Sequence, residues 1–141
     1  MQEIRSARPD EADALAGLID AAYQPYRDCG LVLPDVSGGL DEAIAAGQVW
    51  VIGEVPLGVL MMATTPPDAH LMNIAVSAAA KGQGIGGQLI RFALDHARAT
   101  GCSRMALATH KDIPENVALY EHLGWQVTAR DGMKVLMSRD L

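Results

Sequence analysis

Apolar residues recur along the chain in two rhythms, and the switches between them mark out its elements. Leu15, Leu18, Ile19, Ala22 and Tyr23 fall at steps of three and four, which places them on one helical face. Pro9-Asp10-Glu11 opens that helix, with proline in the first turn and acids at the positive end of the helix dipole. Pro25 is expected to end or kink it. A short strand is expected ahead of it over residues 2–7. Turn residues, including Pro34, Gly38 and Gly39, follow Cys29-Gly30. Residues 40–46 then predict a short helix closed by Gly47.

The rhythm changes at residues 49–52 and 57–63, two apolar runs of strand length around the turn Gly53-Glu54-Val55-Pro56. Pro66-Pro67-Asp68 breaks the chain, and residues 71–76 predict another strand. Residues 85–99 return to helical spacing, with Ile85, Leu89, Phe92 and His96 on one side and Gly101 as the stop. A strand over 105–109 and a helix over 114–123, closed by Gly124, come next. Two strands over 125–129 and 133–138 close the chain across Asp131-Gly132. Helical crossovers and hairpins in one chain predict a mixed sheet with helices on both sides.

Composition narrows the function classes. The 141 residues suit one domain with a sizeable core, half of them apolar and 20% charged. Net charge is −6 and no Lys/Arg run occurs, which argues against nucleic acid as a partner and gives no attraction to anionic membranes. No apolar stretch approaches the roughly 20 residues of a membrane span, and Met1-Gln2-Glu3-Ile4-Arg5 lacks the order of a signal peptide. Cys29 and Cys102 read as two reduced thiols, and no metal-ligand spacing is present. A cytoplasmic location is expected, and exposed sheet edges leave a homodimer possible.

The chemistry concentrates in Asn73-Ile74-Ala75-Val76, a short bridge, and then Lys81-Gly82-Gln83-Gly84-Ile85-Gly86-Gly87 opening a helix. This order puts backbone N–H groups at a helix N-terminus with few side chains in the way, a setting that suits phosphate. Gly82 to Gly87 also satisfies G-x-G-x-x-G. The dinucleotide reading, however, wants the first strand of a βαβ unit and an acid about 20 residues on, and residues 105–109 hold none. One strand and one helix later, Asn116 and Tyr120 stand four apart and share a helix face.

With both segments in view, the chain resembles the GNAT family of N-acetyltransferases over nearly its whole length. The family pattern Arg/Gln-x-x-Gly-x-Gly/Ala reads here as Lys81-Gly82-Gln83-Gly84-Ile85-Gly86, with Lys81 in place of the usual first residue. The resemblance implies an α+β fold whose central sheet is mixed and mostly antiparallel, flanked by helices. It implies acetyl-CoA as co-substrate, its pyrophosphate on the amides of Lys81, Gly82, Gln83, Gly84, Ile85, Gly86 and Gly87. The strand Ile74, Ala75 and Val76 would pair with the pantetheine arm and splay from the next strand. Asn116 would hydrogen-bond the coenzyme.

The same resemblance implies direct acetyl transfer to an amine of a small molecule or peptide, with Tyr120 as the acid that protonates the departing thiolate. His70 is the candidate base, with Asp68 and water as alternatives. His96 reads as a core residue, His122 as a solvated one, and His110 as close enough to the strand end to reach the cleft. The acceptor would be bounded by residues 23–36 and 130–134, where Tyr23, Tyr26 and Arg27 serve either packing or recognition. A coenzyme A-binding module without catalysis is the alternative function.

Overall fold

The computed structural model describes residues 3–28, 30, 39–80 and 82–141. Seven strands form one sheet, β1 Ile4–Ser6, β2 Val49–Ile52, β3 Gly58–Thr65, β4 Asp68–Val76, β5 Arg104–His110, β6 Gln126–Asp131 and β7 Lys134–Asp140, in the order β1-β2-β3-β4-β5-β7-β6. Among the described residues four α-helices intervene: α1 Ala12–Asp28, α2 Leu40–Ala45, α3 Ile85–Ala99 and α4 Pro114–His122. The element order is the one the periodicity predicts. Among the described pairings β4–β5 runs parallel, and β1–β2, β2–β3, β5–β7 and β6–β7 run antiparallel. The fold is therefore α+β with a mostly antiparallel sheet. The chain divides into two compact units, Met1–Met62 with Asn73–Ala93, and Ala63–Met72 with Leu94–Leu141.

In the first unit the pleat sends alternate side chains to opposite faces. Val49 and Val51 of β2 register with Met61 and Val59 of β3, and these four join Leu15 and Ile19 of α1, Leu40, Ala43 and Ile44 of α2, and Ala75 in one buried cluster. Trp50, on the other face, meets Phe92 of α3 with ring centroids 5.7 Å apart. Helices thus cover both faces here, which is why every residue of β2 is buried and its sequence shows no alternation.

Pro25 does not stop α1, which runs on to Asp28. Ala21, whose carbonyl the proline leaves without a donor, and Pro25 itself are both exposed, so the freed group lies on the solvent side of the helix. Residues 29 and 31–38, with Pro34 and Gly38, lie outside the described residues, as does Lys81.

In the second unit β5 is central. Leu107 registers with Met137 and Thr109 with Val135, and this face is covered by α4. Ala106, Ala108 and His110, paired with Ser138, Leu136 and Lys134, occupy the opposite face. The last hairpin turns one residue later than expected. Asp131 still pairs with Lys134, which leaves Gly132-Met133 as the two-residue turn.

A charged brace ties the start of the chain down. Arg5 donates to both carboxylate oxygens of Glu11, at 2.8 and 2.9 Å, and to the carbonyls of Gly53 and Glu54. Arg8 N–H adds a third bond to Glu11, at 2.8 Å. The Arg5 hydrogen bonds above all, then the Arg8 amide, hold the Glu11 carboxyl at about 2 against its partial burial. Because its folded pKa is depressed, Glu11 contributes stability above pH ~4.5 that fades as pH falls toward 2, in total about 3 kcal/mol. Denaturant unfolding at pH 7, 4 and 2.5 is expected to show that decline, and Glu11→Gln to flatten it. An unchanged acid limb in the variant would remove Glu11 from the account.

Candidate functional site

The first unit holds the end of β4, the glycine turn and the start of α3. Ile74 and Val76 are half-buried and Ala75 is buried in the core. The β4–β5 ladder covers Asp68–Leu71 of β4 only, and β4 continues for five more residues. After Ser77, whose N–H is bonded to Leu57 O at 2.8 Å, one 3-10 turn at Ala78–Ala80 leads to the glycines. Gly82 and Gly84 have φ of +83° and +75°, a left-handed region that costs other residues about 1–2 kcal/mol.

Gln88 N–H closes the first turn of α3 onto Gly84 O at 3.1 Å, so the N–H groups of Ile85, Gly86 and Gly87 lie ahead of the helical ladder. Those of Gly86 and Gly87 donate to no backbone acceptor among the described residues. The Gln83 N–H is already used, donating to Ala80 O at 3.3 Å. Of the amides expected to bind phosphate, the helical ones are therefore the best placed.

Neither helical glycine is demanded by the fold. A Cβ at Gly87 would meet nothing within 4 Å, and one at Gly86 only Val76 Cγ2 at an ordinary 3.7 Å. Two glycines in a helix weaken it by up to about 1 kcal/mol each relative to alanine. What they supply is bare backbone facing open space.

Gly58 is the opposite case and was not legible as a site residue. A Cβ there would fall 2.9 Å from Ile85 Cγ2, 3.0 Å from Leu89 Cδ1 and 3.3 Å from the Ala75 carbonyl. Its absence lets the start of α3 sit directly on β3 beside the end of β4. Sequence reasoning also missed the pair Tyr23 and Asn73, where the phenol donates to Asn73 Oδ1 at 3.3 Å. Burial pushes the Tyr23 phenol up, so it remains a neutral donor. Tyr26 is half-buried with its ring 6.3 Å from that of Tyr23, which favours packing for both; the Arg27 side chain lies outside what is described.

The second unit holds α4 and the end of β5. Pro114 occupies the first turn of α4, where its missing N–H costs nothing. Asn116 turns its amide toward Thr109 Oγ1 at 3.4 Å. Tyr120, one turn on, is 8% exposed, and its ring meets that of Trp125 edge-on at 5.6 Å. Trp125 is fixed in turn by its Nε1–H on Met105 O at 3.2 Å and by the Arg139 guanidinium 5.5 Å from its ring. The phenol of Tyr120 is thus held by a stack rather than by its own helix alone.

The histidines separate. His70 is exposed on β4 beside Ala106, on the sheet face away from α4. Asp68 is engaged, with Arg104 Nε and Nη2 at 3.1 and 3.0 Å from its Oδ1. His96 is half-buried rather than within the core, and His122 is exposed. His110 is nine-tenths buried; its Nδ1 accepts the Asp112 N–H at 3.0 Å, and its Nε2 has no partner. No group of three or more metal-ligating side chains occurs among the described residues, and none of their helices is long and apolar enough to cross a membrane.

Comparison with known proteins identifies the family and the fold. Residues 8–125 match the model of the acetyltransferase (GNAT) family. An uncharacterized N-acetyltransferase YvbK of Bacillus subtilis (strain 168) is 27% identical over 105 residues, 72% of this chain and 68% of that protein. The PaiA N-acetyltransferase of Thermoplasma acidophilum, solved with coenzyme A, superposes with a TM-score of 0.87 at 15% identity, over 100% of this chain and 99% of that one. The ribosomal-protein-S18-alanine N-acetyltransferase of Escherichia coli gives 0.75 at 18% identity, over 99% and 94%.

Gly58→Ala is expected to destabilise the protein by about 1–3 kcal/mol, because backbone and two buried side chains must give way. Gly17→Ala, in α1 with nothing within 4 Å, should instead stabilise by up to about 1 kcal/mol. Denaturant midpoints of the two variants check the contrast, and equal midpoints would contradict it.

Proposed function

The chain belongs to the acetyltransferase (GNAT) family and is an N-acetyltransferase, an acyltransferase; we propose that it moves acetyl from acetyl-CoA to the primary amine of a small molecule or peptide. The observation that carries this reading is the pair Gly86 and Gly87, helical glycines that the packing does not need. Close approach of a ligand to their amides accounts for them, and the positive end of the α3 dipole favours the diphosphate of the coenzyme there. The turn glycines Gly82 and Gly84 aim the chain into that helix. The backbone of Ile74, Ala75 and Val76 would hydrogen-bond the pantetheine arm as an added strand does.

Tyr120 serves as the general acid. The amine nitrogen forms its bond to the acetyl carbon while the carbon–sulfur bond breaks, and the phenol proton passes to the departing thiolate. Asn116 keeps its expected role as a coenzyme contact, with Thr109 orienting its amide. For the base, the engagement of Asp68 by Arg104 favours His70 or water, which would take the proton released by the attacking amine. The coenzyme A complexes among the structural neighbours support the choice of co-substrate.

Two variants test this. Gly87→Ala should leave the free protein as stable as the parent or more so, by up to about 1 kcal/mol. Its thermal shift with acetyl-CoA, about 2.7 kcal/mol for the parent at 100 Kd, should shrink. A full shift in that variant would overturn the assignment of the helical amides. Tyr120→Phe should keep the shift and lose roughly 10²- to 10⁴-fold in thiol release; turnover at the parental rate would remove Tyr120 as the acid.

A further inference from the structure

His110 is a donor kept in readiness, and the ring itself shows which nitrogen donates. The Asp112 N–H points at Nδ1 from 3.0 Å, so Nδ1 carries a lone pair and the neutral ring carries its proton on Nε2. That Nε2–H is buried with no acceptor. A buried donor without a partner is unfavourable and rare enough to need a reason. The Asp112 carboxylate supplies none, since its nearer oxygen lies 3.9 Å from Nδ1 on the other side of the ring. The side chain of Lys134, the residue paired with His110 on β7, has only donors to offer.

The position of the ring points to its use. Along β5, Thr109 faces α4 and Asn116, whereas His110 stands on the opposite face with Ala106, Ala108 and, on β4, His70. The two alanines leave that face low between the histidines. On the reading above, α4 attends the coenzyme, so the His110 face is left to the amine.

We propose that the Nε2–H of His110 pairs with an oxygen of the acyl acceptor, so that the enzyme selects amines carrying a carbonyl or carboxylate oxygen next to the amino group over plain alkylamines. This proposal rests on the acetyltransferase reading of the same site. His110 is a recognition residue here and not a base, because its free nitrogen already carries a proton.

The test measures thiol release from saturating acetyl-CoA with alaninamide, alanine and isopropylamine, the last matching their shape without the oxygen. Alaninamide or alanine should exceed isopropylamine tenfold or more in kcat/KM, and which of the two leads tells an amide oxygen from a carboxylate. His110→Phe should abolish the preference and raise KM for the favoured amine tenfold or more, while the unliganded melting temperature and the acetyl-CoA shift hold. His110→Gln, which restores a donor, should recover much of the loss. A purely structural histidine would lower the melting temperature and leave KM alone. Equal turnover of isopropylamine, an unmoved preference in His110→Phe, silence of all three amines with the acetyl-CoA shift intact, or loss of that shift in the variant would each overturn the proposal. Absence of the shift in the parent protein would instead overturn the underlying acetyltransferase reading.

Discussion

The seat of α3 on β3 is the contact on which the first unit depends. A helix start can approach a strand this closely only where the strand lacks a side chain, and Gly58 provides that gap opposite Ile85, Leu89 and the Ala75 carbonyl. Ile85 and Leu89 are both buried, so the helix is anchored by its first two turns. Its N-terminal amides are then fixed relative to the end of β4, and the glycine turn has only to bridge a short gap. The bare backbone at Gly86 and Gly87 is the consequence that matters chemically: the same helix that buries Ile85 presents its neighbours uncovered.

The elements were legible because each is written in local terms. Steps of three and four in α1 and α3, short apolar runs at β2 and β3, and glycines after α2, α3 and α4 need no knowledge of the rest of the chain. Pro25 misled because its penalty depends on where the orphaned carbonyl points, and exposure of that side of α1 is a tertiary fact. The final turn slipped by one residue because Asp131-Gly132 and Gly132-Met133 differ only in which residues the ladder claims. The glycine turn and α4 were legible as candidate chemistry for the same local reason. Gly58, the Tyr23–Asn73 pair and the Arg5–Glu11 brace were not, since each joins residues that nothing in the local pattern connects.

Asp68 shows how a structure sorts candidates of equal standing. As a sequence, Asp68 and His70 are two titratable groups at the start of one strand. Strand pairing then brings Arg104 into register with Asp68 and Ala106 into register with His70. One group acquires a cation and the other a methyl, so their availability as bases diverges through the neighbour alone. Both the carboxylate and the guanidinium are more than half exposed, and such a pair contributes little to stability. Two guanidinium nitrogens fall on Oδ1, so the pair fixes where the carboxylate points more than it adds to folding.

The same alternation divides β5 between two faces. Residues 105, 107 and 109 face α4, whose Tyr120 and Asn116 stand on that side, and residues 106, 108 and 110 face away. A one-residue slip in the β5–β7 register would exchange the two sets, turning His110 toward α4 and Thr109 away from Asn116. Seven consecutive pairs from Arg104↔Asp140 to His110↔Lys134 guard against that, as do the buried Leu107–Met137 pair and the buried Val135 opposite half-buried Thr109 on the core face. The hydrophobic pattern of β5 and β7 therefore does more than build a core. By fixing which face each odd and even residue sees, it settles that a phenol stands on one side of the strand and an imidazole donor on the other.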